Sequence, residues 1–259
     1  MPINLPSRHN EKLAQLMEVI NQDRELHQLW KCANINAVDR SGISDHGEVH
    51  IRIVANIALK LLRLLDAGGV LMNVVKDYGM TMQDAEVIVV LGACFHDLGI
   101  SIHRNHHEMY SLIIAERKTH ETLAALPIYD IEQRTIITSE VLHAVAAHRS
   151  DEQALTTEGS IIKLADALDM THGRSRIPFE AGSVNIHSVS AAAIDEVRLS
   201  AGETKPVHID VLMNNSAGIF QLDELLKEKL KNSTLAPYVE LAAHIEGSIE
   251  KSLIALYSL

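Results

Sequence analysis

The apolar run Val87-Ile88-Val89-Val90-Leu91-Gly92-Ala93-Cys94-Phe95 constrains the fold more than any other stretch of the chain. A membrane-spanning helix needs about 20 consecutive apolar residues. This run is shorter, so it reads as the middle of a helix buried inside a protein. Thr81 is placed to cap that helix, which runs into His96-Asp97 and stops near Gly99. A second segment, Ile161 to Met170, is also apolar on most sides and therefore central. It carries Asp166 within Leu164-Ala165-Asp166-Ala167-Leu168-Asp169. An unpaired buried carboxylate costs on the order of several kcal/mol, so Asp166 requires a cation, a metal or strong hydrogen-bond donors.

The periodicity is helical from residue 7 to about residue 172. Ser7 is the expected cap of a first amphipathic segment (Leu13, Leu16, Met17, Ile20), and a second runs from Leu26 to Cys32. Asp45 is the expected N-cap of a long helix carrying Val49, Ile53, Val54, Ile57, Leu61 and Leu65, which Gly68-Gly69 ends. A short segment from Val70 to Lys76 follows. Asn105 is expected to cap a helix through Met109, Leu112 and Ile113, and Asp130 starts one through Ile136, Val141 and Val145. After Gly173 the texture changes. Val184 to Val189, Ile194 to Leu199, Val207 to Met213 and Tyr238 to Ile245 read as strands, with a hairpin connection from Ala201 to Pro206. Ile219 to Lys231 is an amphipathic helix capped near Ser216, and Ile249 to Leu256 fits strand or helix equally. The expected fold is mainly α: a helical bundle domain over residues 1–178, then a small α+β domain over residues 179–259.

At 259 residues, 47% hydrophobic and 22% charged, the chain is a globular protein able to bury roughly 70–75% of its unfolded surface. Cys32 and Cys94 lie far apart without CxxC spacing, which fits free thiols in a reducing compartment. A formal charge of −11 argues against broad nucleic-acid binding, and 3% aromatics argue against a base-stacking surface. The amino terminus lacks a signal-peptide pattern, so a cytoplasmic protein without membrane attachment is expected. Gly68-Gly69 belongs to no phosphate-binding loop motif, and Ser139 and Ser175 lack a nucleophile elbow.

Histidine is the anomaly: 15 residues, against nine Phe, Tyr and Trp together. Ten fall between His46 and His172. His46 and His50 share a helix face; His103 and His107 are again four apart, with His106 between them, and share a face if that helix begins early. His96-Asp97 and His148 sit at helix ends. Several imidazoles with two carboxylates suit a divalent transition metal with mixed nitrogen and oxygen ligands.

The ordered set His50, His96-Asp97 and Asp166 resembles the HD superfamily of metal-dependent phosphohydrolases. His50-Ile51-Arg52-Ile53-Val54, Phe95-His96-Asp97-Leu98-Gly99 and Lys163-Leu164-Ala165-Asp166 are similar to its three ligand-bearing segments. The resemblance covers roughly residues 45–175, and Asp45-His46-Gly47 followed by His50 is similar to an uncharacterised microbial group within it. It implies an HD-type helical bundle and one or two divalent ions (Mn, Fe, Ni, Co, Zn or Mg). His50, His96, Asp97 and Asp166 would hold the first, and Asp97, His107 and His148 the second. His46 is a further ligand candidate and His103 a reserve. Asp97 and Lys163 are the candidate catalytic residues. Lys163, Arg104, Arg149, Arg174 and Arg176 are candidates for holding substrate phosphate. Asp169 is placed either to support a ligand or to pair locally. The implied reaction is attack of metal-activated water on a phosphomonoester or phosphodiester, a nucleotide among the candidates. A di-iron oxygenase and a non-catalytic ligand-sensing module are the alternatives. The carboxy-terminal part carries no ligand cluster, which leaves it regulation, substrate gating or homodimer formation.

Overall fold

The computed structural model describes residues 2–171, 190–245 and 256–258. Its centre is the helix α5 (Met82–Phe95), in which every residue from Asp84 to Phe95 is buried. In chain order the helices before it are α1 (Glu11–Gln22), α2 (Arg24–Asn34), α3 (Glu48–Ala67) and α4 (Asn73–Tyr78). Those after it are α6 (His107–Ala124), α7 (Ile131–Ala147) and α8 (Thr157–Leu168). α3, α7 and α8 pack around α5, and α1 closes another side. α8 is buried from Thr157 to Ala165, as its apolar sequence predicts.

Capping explains most helix starts. Asp84 accepts from Thr81 N at 2.9 Å and from Thr81 Oγ1 at 2.7 Å, and Asp130 accepts from Gln133 N at 2.8 Å. Three starts differ from expectation, the first being α3, whose N-cap is Gly47 rather than Asp45. Asn10, not Ser7, caps α1, accepting from Leu13 N at 3.0 Å. Its amide also donates to buried Glu86 at 2.8 Å, and this tertiary partner fixes the position of the cap. α6 begins at His107 rather than after Asn105, because His106 adopts a left-handed conformation, φ 61°.

The sheet has strand order β1-β2-β3-β4, with β1 (Ile194–Ala201), β2 (Val207–Met213), β3 (Val239–Ile245) and β4 (Leu256–Ser258). β1 and β2 form the expected antiparallel hairpin, in the register Val197 opposite Val211. β2 and β3 are parallel, Ile209 opposite Leu241, and β3 and β4 antiparallel. The crossover between β2 and β3 is the expected amphipathic helical segment, in three pieces. A tight turn (Ser216–Gly218) and a wide turn (Gln221–Leu226) precede the short helix α9 (Lys227–Lys231). Ile194, Val207, Ile209, Leu222, Leu226, Leu235 and Val239 join the same apolar core as the helices. Mostly helical architecture with a small carboxy-terminal sheet is therefore observed. The expected boundary at residue 178, the strand Val184–Val189 and most of Ile249–Leu256 lie outside the described residues. No helix among the described residues is long and apolar enough to cross a membrane.

One buried group near the bundle's far end makes stability depend on pH. Glu140 on α7 is only 6% exposed, and its Oε2 has no hydrogen-bond partner among the described residues. Burial, then the charges of Glu158 and Asp77, push its carboxyl up to about 7 from an ordinary 4.5, against weaker help from Tyr78 and Thr156. Between those values the native state binds more protons than the unfolded chain, so stability falls as pH rises through the window. Glu140→Gln removes the titration. It is expected to raise the melting temperature by roughly 2–6 °C at pH 8 and to leave it nearly unchanged at pH 5, as read by calorimetry at both values.

Candidate metal centre

Each imidazole of the site is placed by a helix terminus. His50 lies in the first turn of α3, which starts at Glu48 behind Gly47. Asp45 still satisfies that terminus, its Oδ1 accepting from Gly47 N at 3.1 Å and from His50 N at 3.2 Å. The turn lies against the end of α2, where a Cβ on Gly47 would stand 2.8 Å from that of Asn34. His96 follows the last residue of α5, and Trp30 Nε1 donates to the Cys94 carbonyl at 2.8 Å. His148 follows the last residue of α7 in the same manner. Leu98–Ser101 forms a tight helical turn after Asp97, pressed onto the start of α6. A Cβ on Gly99 would stand 2.0 Å from the His107 carbonyl oxygen, so only glycine allows His96-Asp97 and His107 to approach this closely.

The rings share one orientation. His96 Nδ1 donates to the Ala93 carbonyl at 2.9 Å, and His148 Nδ1 to the Val145 carbonyl at 2.6 Å. Both acceptors are carbonyls left unsatisfied at a helix carboxy terminus. His50 Nδ1 lies 2.6 Å from Asp169 Oδ2. His107 Nδ1 lies 3.1 Å from the Arg104 carbonyl and 2.7 Å from the Arg104 guanidinium. With Nδ1 engaged outside, all four rings turn Nε2 inward. Donation from Nδ1 to the carbonyl and carboxylate oxygens would leave Nε2 its lone pair, the tautomer that such outer bonds fix in metal-binding histidines.

Asp97 lies between the rings, its two oxygens divided between them. Oδ2 is 3.4 Å from His50 Nε2 and 3.3 Å from His96 Nε2, while Oδ1 is 3.2 Å from His107 Nε2 and 3.8 Å from His148 Nε2. Asp166 Oδ1 is 3.4 Å from His50 Nε2 and 3.8 Å from His96 Nε2. His50, His96 and Asp166 form one group that could hold a metal ion, and Asp97, His107 and His148 another. In each group the donor atoms lie within 4.8 Å of one another.

The electrostatics suit a cation. Burial pushes the Asp97 carboxyl up, but the charge of His96 and hydrogen bonds from His107, His50 and His96 hold it well below the usual range. Burial acts likewise on Asp166 and is outweighed first by Lys229, then by His50 and His96. Burial and neighbouring His96 press His148 down to about 3, so its ring is neutral with a free lone pair. Nε2 atoms face each other at 3.2 Å (His50 and His96) and 3.3 Å (His107 and His148). The Nε2 atoms and carboxylate oxygens thus converge on one volume, a donor set that could hold divalent ions.

Other candidates are placed elsewhere. Lys163 is fully buried and donates to the carbonyls of Arg149, Ser150 (3.3 Å) and Glu152 (2.7 Å). Its three N–H groups are engaged in holding the loop after His148, which corrects the expectation that it acts on substrate. Arg149 is exposed and paired in bidentate fashion with Asp151. Arg104 is exposed, its guanidinium on His107 as described. Arg174 and Arg176 lie outside the described residues. His46 is buried beside His50, ring centroids 5.4 Å apart, but belongs to neither ligand group, and its Nδ1 bonds the Ser44 carbonyl at 2.6 Å. His103 is exposed and accepts from Asn105 N at 3.0 Å, because α6 starts too late to give it the face of His107. Sequence reasoning missed Lys229 on α9, whose Nζ donates to Asp166 Oδ2 at 2.5 Å. Nothing in its amphipathic surroundings marked it out.

An α-helical bundle with histidines and aspartates gathered at its helix ends defines the class as that of helical proteins with an internal, mixed-ligand cluster that could hold a metal ion. The family is shown by comparison. A family model described as HD domain matches residues 48–171. An uncharacterized protein of Methanocaldococcus jannaschii is 41% identical over 225 residues, which cover 87% of this chain and 86% of the relative. The chain belongs to the HD domain family.

The division of Asp97 between the two groups has a measurable consequence. Asp97→Ala is expected to remove metal from both positions, whereas His107→Ala and His148→Ala retain about half of the bound metal. Asp169→Ala frees His50 Nδ1 and is expected to weaken metal affinity by roughly 10–100-fold without changing the stoichiometry at saturation. Elemental analysis with a metal titration checks all four variants.

Proposed function

We propose that the protein is a metal-dependent phosphohydrolase that cleaves a phosphomonoester or phosphodiester, with a nucleotide among the candidate substrates. The observation that carries the reading is the bridging position of Asp97, one oxygen toward His50 and His96 and the other toward His107 and His148. That arrangement fits two divalent ions sharing a carboxylate. The family membership supports the same chemistry, since HD proteins are generally metal-dependent hydrolases. Four imidazoles and two carboxylates favour Mn, Fe, Co, Ni or Zn over Mg, which prefers oxygen ligands and retained waters.

When bound, a divalent pair supplies Lewis-acid polarisation of the phosphoryl group and acidifies a water molecule. The chain contributes the rest. Asp97 and Asp166 stay ionised and hold negative charge at the centre. His148 stays neutral, and the outward bonds of Nδ1 keep the rings from rotating. This preorganisation means that little reorganisation accompanies charge build-up on the phosphoryl oxygens. His50 and His96, with side chains fully buried, exclude bulk water from one wall, while Asp166, 16% exposed, borders solvent.

Purified protein is expected to release phosphate or cleave a phosphodiester only with a divalent ion present. Asp166→Ala, which removes a ligand charge, is expected to lower turnover by at least roughly 100-fold. A phosphoester panel run with metal-stripped and metal-loaded samples checks both statements. Full activity after thorough stripping overturns the reading, and oxygen consumption by an iron-loaded sample without phosphate release replaces it with the oxygenase.

A further inference from the structure

We propose that Lys229, carried by the carboxy-terminal segment, is a phosphate-binding residue of the candidate metal centre. The inference rests on the phosphohydrolase reading and adds to it a residue from outside the matched HD region. Asp166 is shared by two surroundings. Its Oδ1 faces His50 and His96, and its Oδ2 accepts from Lys229 Nζ. Lysine therefore does not occupy the oxygen turned toward the metal ligands, and both cations can sit on one carboxylate. An ammonium has three donors, and among the described residues Nζ makes only the bond to Asp166. Two N–H groups remain for an anion.

Accessibility sets Lys229 and Asp166 apart from the other residues of the centre. The side chains of His50 and His96 are 0% exposed and that of Asp97 5%, whereas those of Asp166 and Lys229 are 16% and 13%. Asp166 and Lys229 are thus more accessible than His50, His96 and Asp97, which suits a substrate approaching past Lys229. Of the other described candidate cations, Lys163 is committed to three carbonyls and Arg149 to Asp151, while Arg104 lies on the outer nitrogen of His107. Lys229 is also firmly held. Leu222 and Leu226 are buried on the preceding turn. Asn232 Nδ2 donates to the Ser150 carbonyl at 2.8 Å, and Thr234 N donates to Ser160 Oγ on α8 at 3.0 Å. A cation fixed at the rim of a metal centre binds a phosphoryl oxygen and stabilises the charge it develops.

The test uses the metal-loaded full-length protein with inorganic phosphate, the reaction's product, as probe. Calorimetric titration is expected to show phosphate binding by the wild type, weakened roughly 10–100-fold in Lys229→Met, as for loss of a charged hydrogen bond. Elemental analysis is expected to find metal content unchanged in that variant. Lys229→Arg is expected to recover most of the phosphate affinity. Equal phosphate affinity in wild type and Lys229→Met, both fully loaded, overturns this proposal and leaves the phosphohydrolase reading standing. Loss of metal from both Lys229→Met and Lys229→Gln also overturns it, making Lys229 a support for Asp166 alone. A loaded wild type that neither binds phosphate nor cleaves any phosphoester overturns both.

Discussion

Burying a carboxylate among imidazoles is the constraint around which this bundle is organised. Asp97 is 4% exposed, and moving an ion-sized charge out of water carries a penalty of several kcal/mol even after relaxation, on the order of that measured for broken buried pairs. Its compensation comes from four rings delivered by four helices, α3, α5, α6 and α7, whose ends must converge on one point. The helix termini make this possible because each leaves backbone groups without partners. His96 and His148 answer two orphan carbonyls with Nδ1 and thereby aim Nε2 inward, so local capping and ligand orientation are the same hydrogen bond.

That economy explains which parts of the site were legible in the sequence. A histidine immediately after an apolar helix, as in Phe95-His96 and Ala147-His148, has the helix's last carbonyls within reach, and the buried aspartate in Leu164-Ala165-Asp166 required a partner wherever the chain placed it. β2 was bounded correctly because its alternation is strict, buried at every second residue. What stayed hidden depended on tertiary contact. Asn10 replaced Ser7 as a cap because Glu86 lies opposite it. His103 lost its expected face through a single left-handed residue, His106, that no periodicity reveals. Lys163 sits three residues before Asp166 and looked like an active-site cation, yet the same central helix that buries the aspartate also buries the lysine.

Lys163 shows how the helical bundle and the carboxy-terminal segment are tied. The loop after His148 is held from one side by Lys163, through the carbonyls of Arg149, Ser150 and Glu152, and from the other by Asn232. Ala154 N donates to the Asn232 carbonyl at 3.1 Å, closing the arrangement. A buried ammonium bonded only to carbonyls is costly. Burial and nearby Lys229 press it down to about 8, so it retains its charge at neutral pH with little margin. The carboxy-terminal segment is therefore part of the wall behind His148 as well as the source of Lys229.

Charge balance gives the last reason for a cation from outside the matched HD region. The chain carries a formal −11, and an anionic substrate approaches against that field until it is within about 8 Å, the screening length at physiological salt. Closer in, only local charge decides. Asp97 and Asp166 contribute two negative charges to the centre, which two divalent ions would exceed by two. In the proposed arrangement Lys229 would raise that excess to three, which suits the build-up of charge on the oxygens of a transferring phosphoryl group. Among the described candidates from the bundle, Lys163 is engaged by loop carbonyls and Arg149 by Asp151, so neither is a spare donor of this kind. The crossover between β2 and β3 supplies one from a surface the bundle does not control.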